Sequence, residues 1–439
     1  MTPLKKLAVP AIVLLSVLAP LLAPVAASMD QPPAREWNCE PSTRMNRTVT
    51  LHRTDLGKKF LLQVSYERRR YGRHDFMTSR SHIVTFAQRG GVVQMLEDVR
   101  DPGASPAPLA SIPVQGMTQD ALLLDFNTGF DRILNEEDRT GKDYYQGEET
   151  RDASFFPVLQ CAAARVSRAG PILVIEQRAL SGDDPVSVYY YLSPYRPDPQ
   201  FEPFELEDLD HFGFYQTYPR LLSGRNVFHA TKFDGRKPIV FALSTAIPAA
   251  RRAAVRDGVL YWNRAMGHEM LRVIDAPAGV TVPNPSFNII EWITDGALGS
   301  NSHIQDDPLT GQILHAHIFL DAHGLPRRLD EQDDFLRYIV AHEVGHALGL
   351  RHNFAKGPPT TVMNYFNFTE GAALGRAIRM GTDGFEYDRK VMRHVYLDEP
   401  LDLASLPPFC TDYQPGCRFF PVKSDLDGRK SVHSGPAGH

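Results

Sequence analysis

The chain has 439 residues, with 47 Lys+Arg against 52 Asp+Glu for a formal charge of −5, 43% hydrophobic residues and 23% charged. Those proportions describe a globular protein long enough for two or three cores, and they exclude long disorder, a coiled coil and collagen as descriptions of the whole. Only one uninterrupted apolar run is long enough to matter, which excludes a polytopic membrane protein, and net acidity without a basic block argues against nucleic-acid binding.

That run stands first and has the layout of an export signal. Lys5 and Lys6 form a charged start, Leu7 to Leu22 an apolar stretch, and Val25-Ala26-Ala27 a small-residue cleavage site before Ser28. Pro10, Pro20 and Pro24 make it a poor permanent transmembrane helix, and no cysteine follows the cleavage point to carry a lipid. Residues 1–27 are therefore expected to be a signal peptide, with the mature chain exported to the periplasm or secreted and no stable membrane anchor. Oligomeric state is not legible. All four cysteines, Cys39, Cys161, Cys410 and Cys417, survive cleavage, and an even count in an exported chain suggests disulfides. Cys410 and Cys417 flank a loop containing Pro415 and Gly416, which favours a local bridge and leaves Cys39 with Cys161. Free buried thiols are the alternative for the long-range pair.

Residues 28–236 read as a β-rich region. Phe60 to Val64, His82 to Phe86, Gly91 to Met95, Ile172 to Ile175 and Val186 to Tyr191 are rich in β-branched and aromatic residues and separated by polar turns. A mostly antiparallel domain follows, without a catalytic signature. The basic patch at Glu67 to Arg70 and the proline-rich stretch from Asp101 to Pro113 are expected in loops, and Pro194 to Pro203 as a connector.

At Lys237 the pattern changes, and a second domain is expected over residues 237–400, followed by a tail over 401–439. Pro238 to Leu243 reads as a buried strand, and Ala249 to Met266 places Val255, Val259, Trp262 and Met266 at helical spacing. Strand candidates follow near Leu271 to Ile274, Phe287 to Ile293 and Ile313 to Leu320, then a helix from about Asp334 to Leu348. The order strand, helix, three strands, helix implies an α+β fold, a mixed sheet with two long helices.

The last helix carries the chemistry, in His342-Glu343-Val344-Gly345-His346-Ala347-Leu348-Gly349-Leu350-Arg351-His352. Residues four apart share a helical face, so His342 and His346 can point two imidazole nitrogens at one ion. Glu343 leaves the same turn and can hold a water without ligating the metal. Gly349 tolerates the left-handed conformation that reverses the chain and returns His352 as third ligand. Three nitrogen ligands with an open fourth position describe a catalytic zinc site rather than a closed structural one. Five fixed positions in this arrangement are expected by chance in fewer than about one such chain in ten thousand.

The HEVGHALGLRH stretch resembles the metzincin clan of zinc metallopeptidases. The resemblance extends to a methionine turn, for which Thr360-Thr361-Val362-Met363-Asn364-Tyr365 lies at a suitable distance, with Tyr365 matching the tyrosine that in some branches ligates the metal or stabilises the oxyanion. Closer still is the similarity to large secreted bacterial zinc-dependent metalloproteases, carried by Lys237-Pro238-Ile239-Val240, Tyr261 to Ala265, Asp307 to Leu314, the helix motif to Phe354, and Tyr387-Asp388. Asn353 matches none of the astacin, serralysin, adamalysin or matrixin residues after the third histidine, so no branch is assigned.

The resemblance implies a zinc-dependent endopeptidase acting on protein or peptide substrates. Zinc would lower the pKa of its bound water towards about 7, with Glu343 as general base and Tyr365 helping to hold the oxyanion. The edge strand before the helix, expected within Gln312 to Leu320, would take an extended peptide by strand addition. His315 and His317 alternate on one strand face with His323 nearby. A solvated face explains them as well as a second metal does, and a turn explains Asp306 and Asp307 more simply than calcium, which stays a possible second cofactor. Asn367-Phe368-Thr369 fits the glycosylation acceptor pattern. The alternative function is a non-catalytic zinc-containing peptide-binding or adhesion protein; a zinc hydrolase of non-peptide amides would differ only in pocket shape.

Overall fold

The computed structural model describes residues 48–411, apart from internal stretches of which 99–107 and 136–153 are the longest. The signal peptide, Cys39, Cys161, Cys417 and most of the tail lie outside the described residues, as does the pairing expected for them.

The amino-terminal region is a sheet of β1 (Thr48–His52), β2 (Lys59–Arg70), β3 (Arg73–Thr78), β4 (His82–Arg89), β5 (Val92–Glu97), β6 (Pro108–Met117) and β7 (Ala121–Asp125), joined, after a short pair β8 (Arg132–Asn135) and β9 (Ser154–Pro157), by β10 (Ala163–Ala169), β11 (Ile172–Ser181) and β12 (Asp184–Pro194). The order is β1-β7-β6-β5-β4-β2-β12-β11-β10, with β3 paired to β2, and every pairing is antiparallel. Alternation decides its faces. Leu62, Val64 and Tyr66 of β2 enter the apolar core with Val84, Phe86, Val188 and Tyr190, while Gln63 and Ser65 turn the other way yet are also buried. Two loop expectations fail where they can be read: Glu67 to Arg70 end β2, and Pro108 to Pro113 lie in β6, while residues 101–107 of that stretch are outside the described residues. A basic run is compatible with a hairpin arm, and β6 tolerates its prolines at its first residue and beside an irregular register with β7.

A two-stranded hairpin of β13 (Arg220–Leu222) and β14 (Arg225–Val227) precedes a five-stranded sheet made by β15 (Ile239–Leu243), β16 (Leu271–Asp275), β17 (Asn288–Ile293), β18 (Asn301–Asp306) and β19 (Ile313–Asp321). Its order is β16-β15-β17-β19-β18, all parallel except β18. Among the described residues, four helices accompany it: α1 (Arg252–Met266), α2 (Leu329–Ala347), α3 (Phe368–Met380) and α4 (Glu386–Leu397). The first crosses between β15 and β16 as parallel strands require, burying Val255, Val259, Trp262 and Met266. Asn367 caps α3 in a reciprocal box with Glu370. The core that holds these elements also takes Leu206, Phe212, Phe214, Ala230 and Phe233, which precede Lys237.

Strand β18 is absent from the sequence reading because Asn-Ser-His-Ile-Gln-Asp carries no apolar run. Its presence corrects the edge: β19 is flanked by β17 and β18, so among the described residues the outermost strand of this sheet is Asn301–Asp306 and not residues 312–320. It also corrects the solvated histidine face. Register places His303 opposite His317 and Gln305 opposite His315, and these side chains face the amino-terminal sheet. Gln305 Nε2 donates to Val64 O at 3.1 Å, Ser81 Oγ donates to Gln305 Oε1, and Phe76 stacks on Phe319 at 4.6 Å. His315 and His317 are buried in this interlayer and His303 is half-buried there, whereas His323 is exposed in the loop after β19.

Candidate metal centre

Helix α2 brings His342 and His346 to one face, one turn apart, and Gly349 ends the turn that follows. Its φ of 101° is open to glycine, and a Cβ there would run into the Thr231 carbonyl. The chain then reverses and delivers His352. Ring nitrogens of His342, His346 and His352 all lie within 4.8 Å of one another. No other group of His, Cys, Asp or Glu among the described residues achieves this convergence.

The outer nitrogens settle the tautomers. His342 Nδ1 donates to Val362 O at 2.9 Å and His346 Nδ1 to Leu350 O at 2.8 Å, which leaves a lone pair on each Nε2. Those two Nε2 atoms stand 3.2 Å apart, and His346 Nε2 is again 3.2 Å from His352 Nε2. With both protons committed outward, His342 and His346 cannot hydrogen-bond to each other. Facing lone pairs repel unless a cation lies between them, and tetrahedral zinc with nitrogen ligands at about 2.05 Å sets its ligands about 3.3 Å apart. Burial, reinforced by His352, pushes His342 down to about 3 and His346 well below the usual imidazole range, so both stay in the neutral form a metal needs. The residues present fit a zinc ion.

Glu343 is buried beside this cluster, and burial alone pushes its carboxyl up to about 8. It lines a cavity of ≈ 130 Å³ together with His342, Tyr365, Leu320, Leu325 and Ile339. Tyr365 is 43% exposed, and its ring lies over His352 at 4.5 Å and His342 at 5.5 Å, within the reach of anything bound at the cluster.

Beneath the cluster the Met363 thioether packs against α2 at Gly345, where a Cβ would strike both the sulfur and Trp262. The turn carrying Met363 is held by Asp388 of α4. Thr361 Oγ1 and Val362 N each donate to this buried carboxylate at 2.6 Å, and burial raises its pKa to about 7. Asn353 is fully buried and structural: its Oδ1 accepts from Ala355 N and Cys410 N, and its Nδ2 donates to Pro408 O. Asp307 likewise serves a turn, accepting from Leu309 N at 2.9 Å and from the Tyr195 hydroxyl at 3.0 Å.

Tyr215 was invisible to sequence reasoning. It lies 131 residues upstream of His346, in no motif, yet its hydroxyl is 3.4 Å from His346 Nδ1. No spacing rule connects the two; only the fold does.

Residues 326–373, which include α2, the third histidine and the Met363 turn, match a family model described as Met-zincin. No curated protein and no solved structure matches the chain. The family match and the three-histidine cluster support a zinc metallopeptidase of the metzincin type.

Proposed function

We propose that the chain is an exported zinc-dependent endopeptidase, with His342, His346 and His352 as metal ligands, Glu343 as general base and Tyr365 at the oxyanion. The observation that carries this reading is the convergence of three imidazole nitrogens within 4.8 Å, with His346 Nε2 at 3.2 Å from each of the other two and a buried carboxyl group one residue from the first. When bound, zinc supplies Lewis-acid chemistry, acidifying water and polarising a carbonyl. Glu343 takes the proton of the attacking water and hands it to the leaving amine, and the low-polarity pocket that makes its carboxyl a stronger base suits both steps. Tyr365 offers a hydroxyl from a ring stacked on His342 and tilted against His352. An extended peptide would add along β18, the outermost described strand, which starts beside Ser300 of the cavity wall.

The test is hydrolysis of an unfolded protein by the mature chain, alongside Glu343→Ala and a metal-depleted sample, with zinc quantified in each. Cleavage by the wild type alone, with zinc retained in the alanine variant, is expected. Stoichiometric zinc without cleavage in the wild type would favour the non-catalytic peptide-binding alternative.

A further inference from the structure

Residues 213–217 run alongside the metal turn. Arg351 N donates to Gly213 O at 2.6 Å and Tyr215 N to Gly349 O at 2.7 Å, with Phe214 bridging Leu350 in antiparallel register. On its other side the same segment pairs with residues 229–231: Thr231 N donates to Tyr215 O, Thr217 N to His229 O, and Gln216 bridges Ala230. The turn between the second and third histidines is thereby one rung of a three-stranded ladder whose other two members lie far upstream. Leu350 is the point of contact twice over. Its peptide is paired with Phe214, and its carbonyl accepts the His346 Nδ1 proton.

We propose that Tyr215 is a positioning residue for the metal ligand His346. Its hydroxyl oxygen is a second acceptor for the Nδ1 proton, at 3.4 Å against 2.8 Å for Leu350 O, and the two acceptors bracket the ring so that Nε2 keeps its aim. The strand that carries Tyr215 meanwhile fixes the Gly349–Arg351 turn that returns His352. This assigns part of the metal centre to a segment outside the family match at 326–373 and upstream of the second sheet. A ligand orienter of this kind raises affinity because it removes ring rotation that metal binding would otherwise have to freeze. The inference rests on the proposed metal centre but not on peptide cleavage.

Tyr215→Phe in the full chain deletes the hydroxyl while keeping the ring and the backbone ladder. Zinc affinity is measured by competition with a chromophoric chelator, the visible spectrum is recorded with cobalt in place of zinc, and the thermal midpoint of the metal-free chain serves as the structural control. Outer partners of metal ligands are worth about 10- to 100-fold in affinity, and the longer of two acceptors belongs at the lower end. Tyr215→Phe should therefore raise the zinc Kd by about tenfold and shift the cobalt bands, with the metal-free midpoint unchanged. Tyr215→His, which restores a polar group near the same place, should recover part of the affinity. A zinc Kd within twofold of wild type and an unaltered cobalt spectrum would overturn the assignment, as would a loss of affinity matched by a fall in the metal-free midpoint. A wild-type chain that takes up no zinc would overturn the metal centre itself, an outcome distinct from both.

Discussion

Acid should loosen this protein through the interlayer between its two sheets. His303 and His317 are paired across β18 and β19, and burial drives each down to about 4. His317 Nε2 sits 2.8 Å from Asn284 O, and a His303 ring nitrogen bonds the Phe76 backbone, but neither meets a carboxylate that would welcome a proton. The folded values lie below the unfolded value of about 6.5, so below that pH the unfolded chain binds more protons. Stability present at pH 7 is withdrawn as pH falls through 6.5 towards 4. At pH 5 each histidine removes about 2 kcal/mol, and the pair about 4 kcal/mol, before their mutual repulsion is counted. The assay is urea unfolding of the zinc-saturated chain at pH 7.5 and pH 5.0, compared with His303→Gln, His317→Gln and the double variant. The difference between the two pH values should shrink by about 4 kcal/mol in the double variant, while the contributions of His315 and of the proposed metal ligands, which all four chains share, drop out of the comparison between chains. An equal pH dependence in wild type and double variant would refute the reasoning.

Three further outcomes follow from the metal centre and its supports. Tyr365→Phe should lower kcat by about a hundredfold with zinc content unchanged, the loss typical of an oxyanion donor, which steady-state kinetics and metal analysis check together. Asn353→Ala removes the acceptor for two backbone N–H groups and a donor to Pro408 O in a fully buried site; it should cost about 2–4 kcal/mol in denaturant unfolding. Stripping zinc with a chelator should lower the thermal midpoint, and restoring zinc to a thousand times its Kd should return about 4 kcal/mol, read from midpoints across a zinc titration.

How much of this was legible in the sequence depends on whether the determinant is local. The convergence of His342, His346 and His352 was, because it follows from helical periodicity and the backbone conformation of Gly349, both local. So were β2, β4, β5, β11 and β12, whose β-branched runs are local as well. Strand β18 was not: its residues become a strand because β19 offers a partner, and its polar side chains are accommodated because the amino-terminal sheet supplies Val64 O and Ser81. Asn353, unexplained by comparison with metzincin branches, is accounted for by contacts with residues 408 and 410, far along the chain. Tyr215 reaches His346 only once the ladder has formed.

The chain gathers two sets of three histidines, and the contrast between them shows what a metal site would need. In the first, helical spacing and a glycine turn aim three Nε2 atoms at one point, and backbone carbonyls hold two of the Nδ1 protons on the far side. In the second, strand spacing sets His315 and His317 two residues apart with ring centroids at 5.1 Å, and register brings His303 alongside His317. Side chains of a sheet face stand parallel to one another, so their nitrogens spread over the surface instead of converging, and each ring finds its own neighbour or none. Burial depresses the pKa of His342 and His346 in the first set and of all three rings in the second. At the helix that neutrality leaves lone pairs free for a cation, whereas between the sheets it makes the interlayer sensitive to acid.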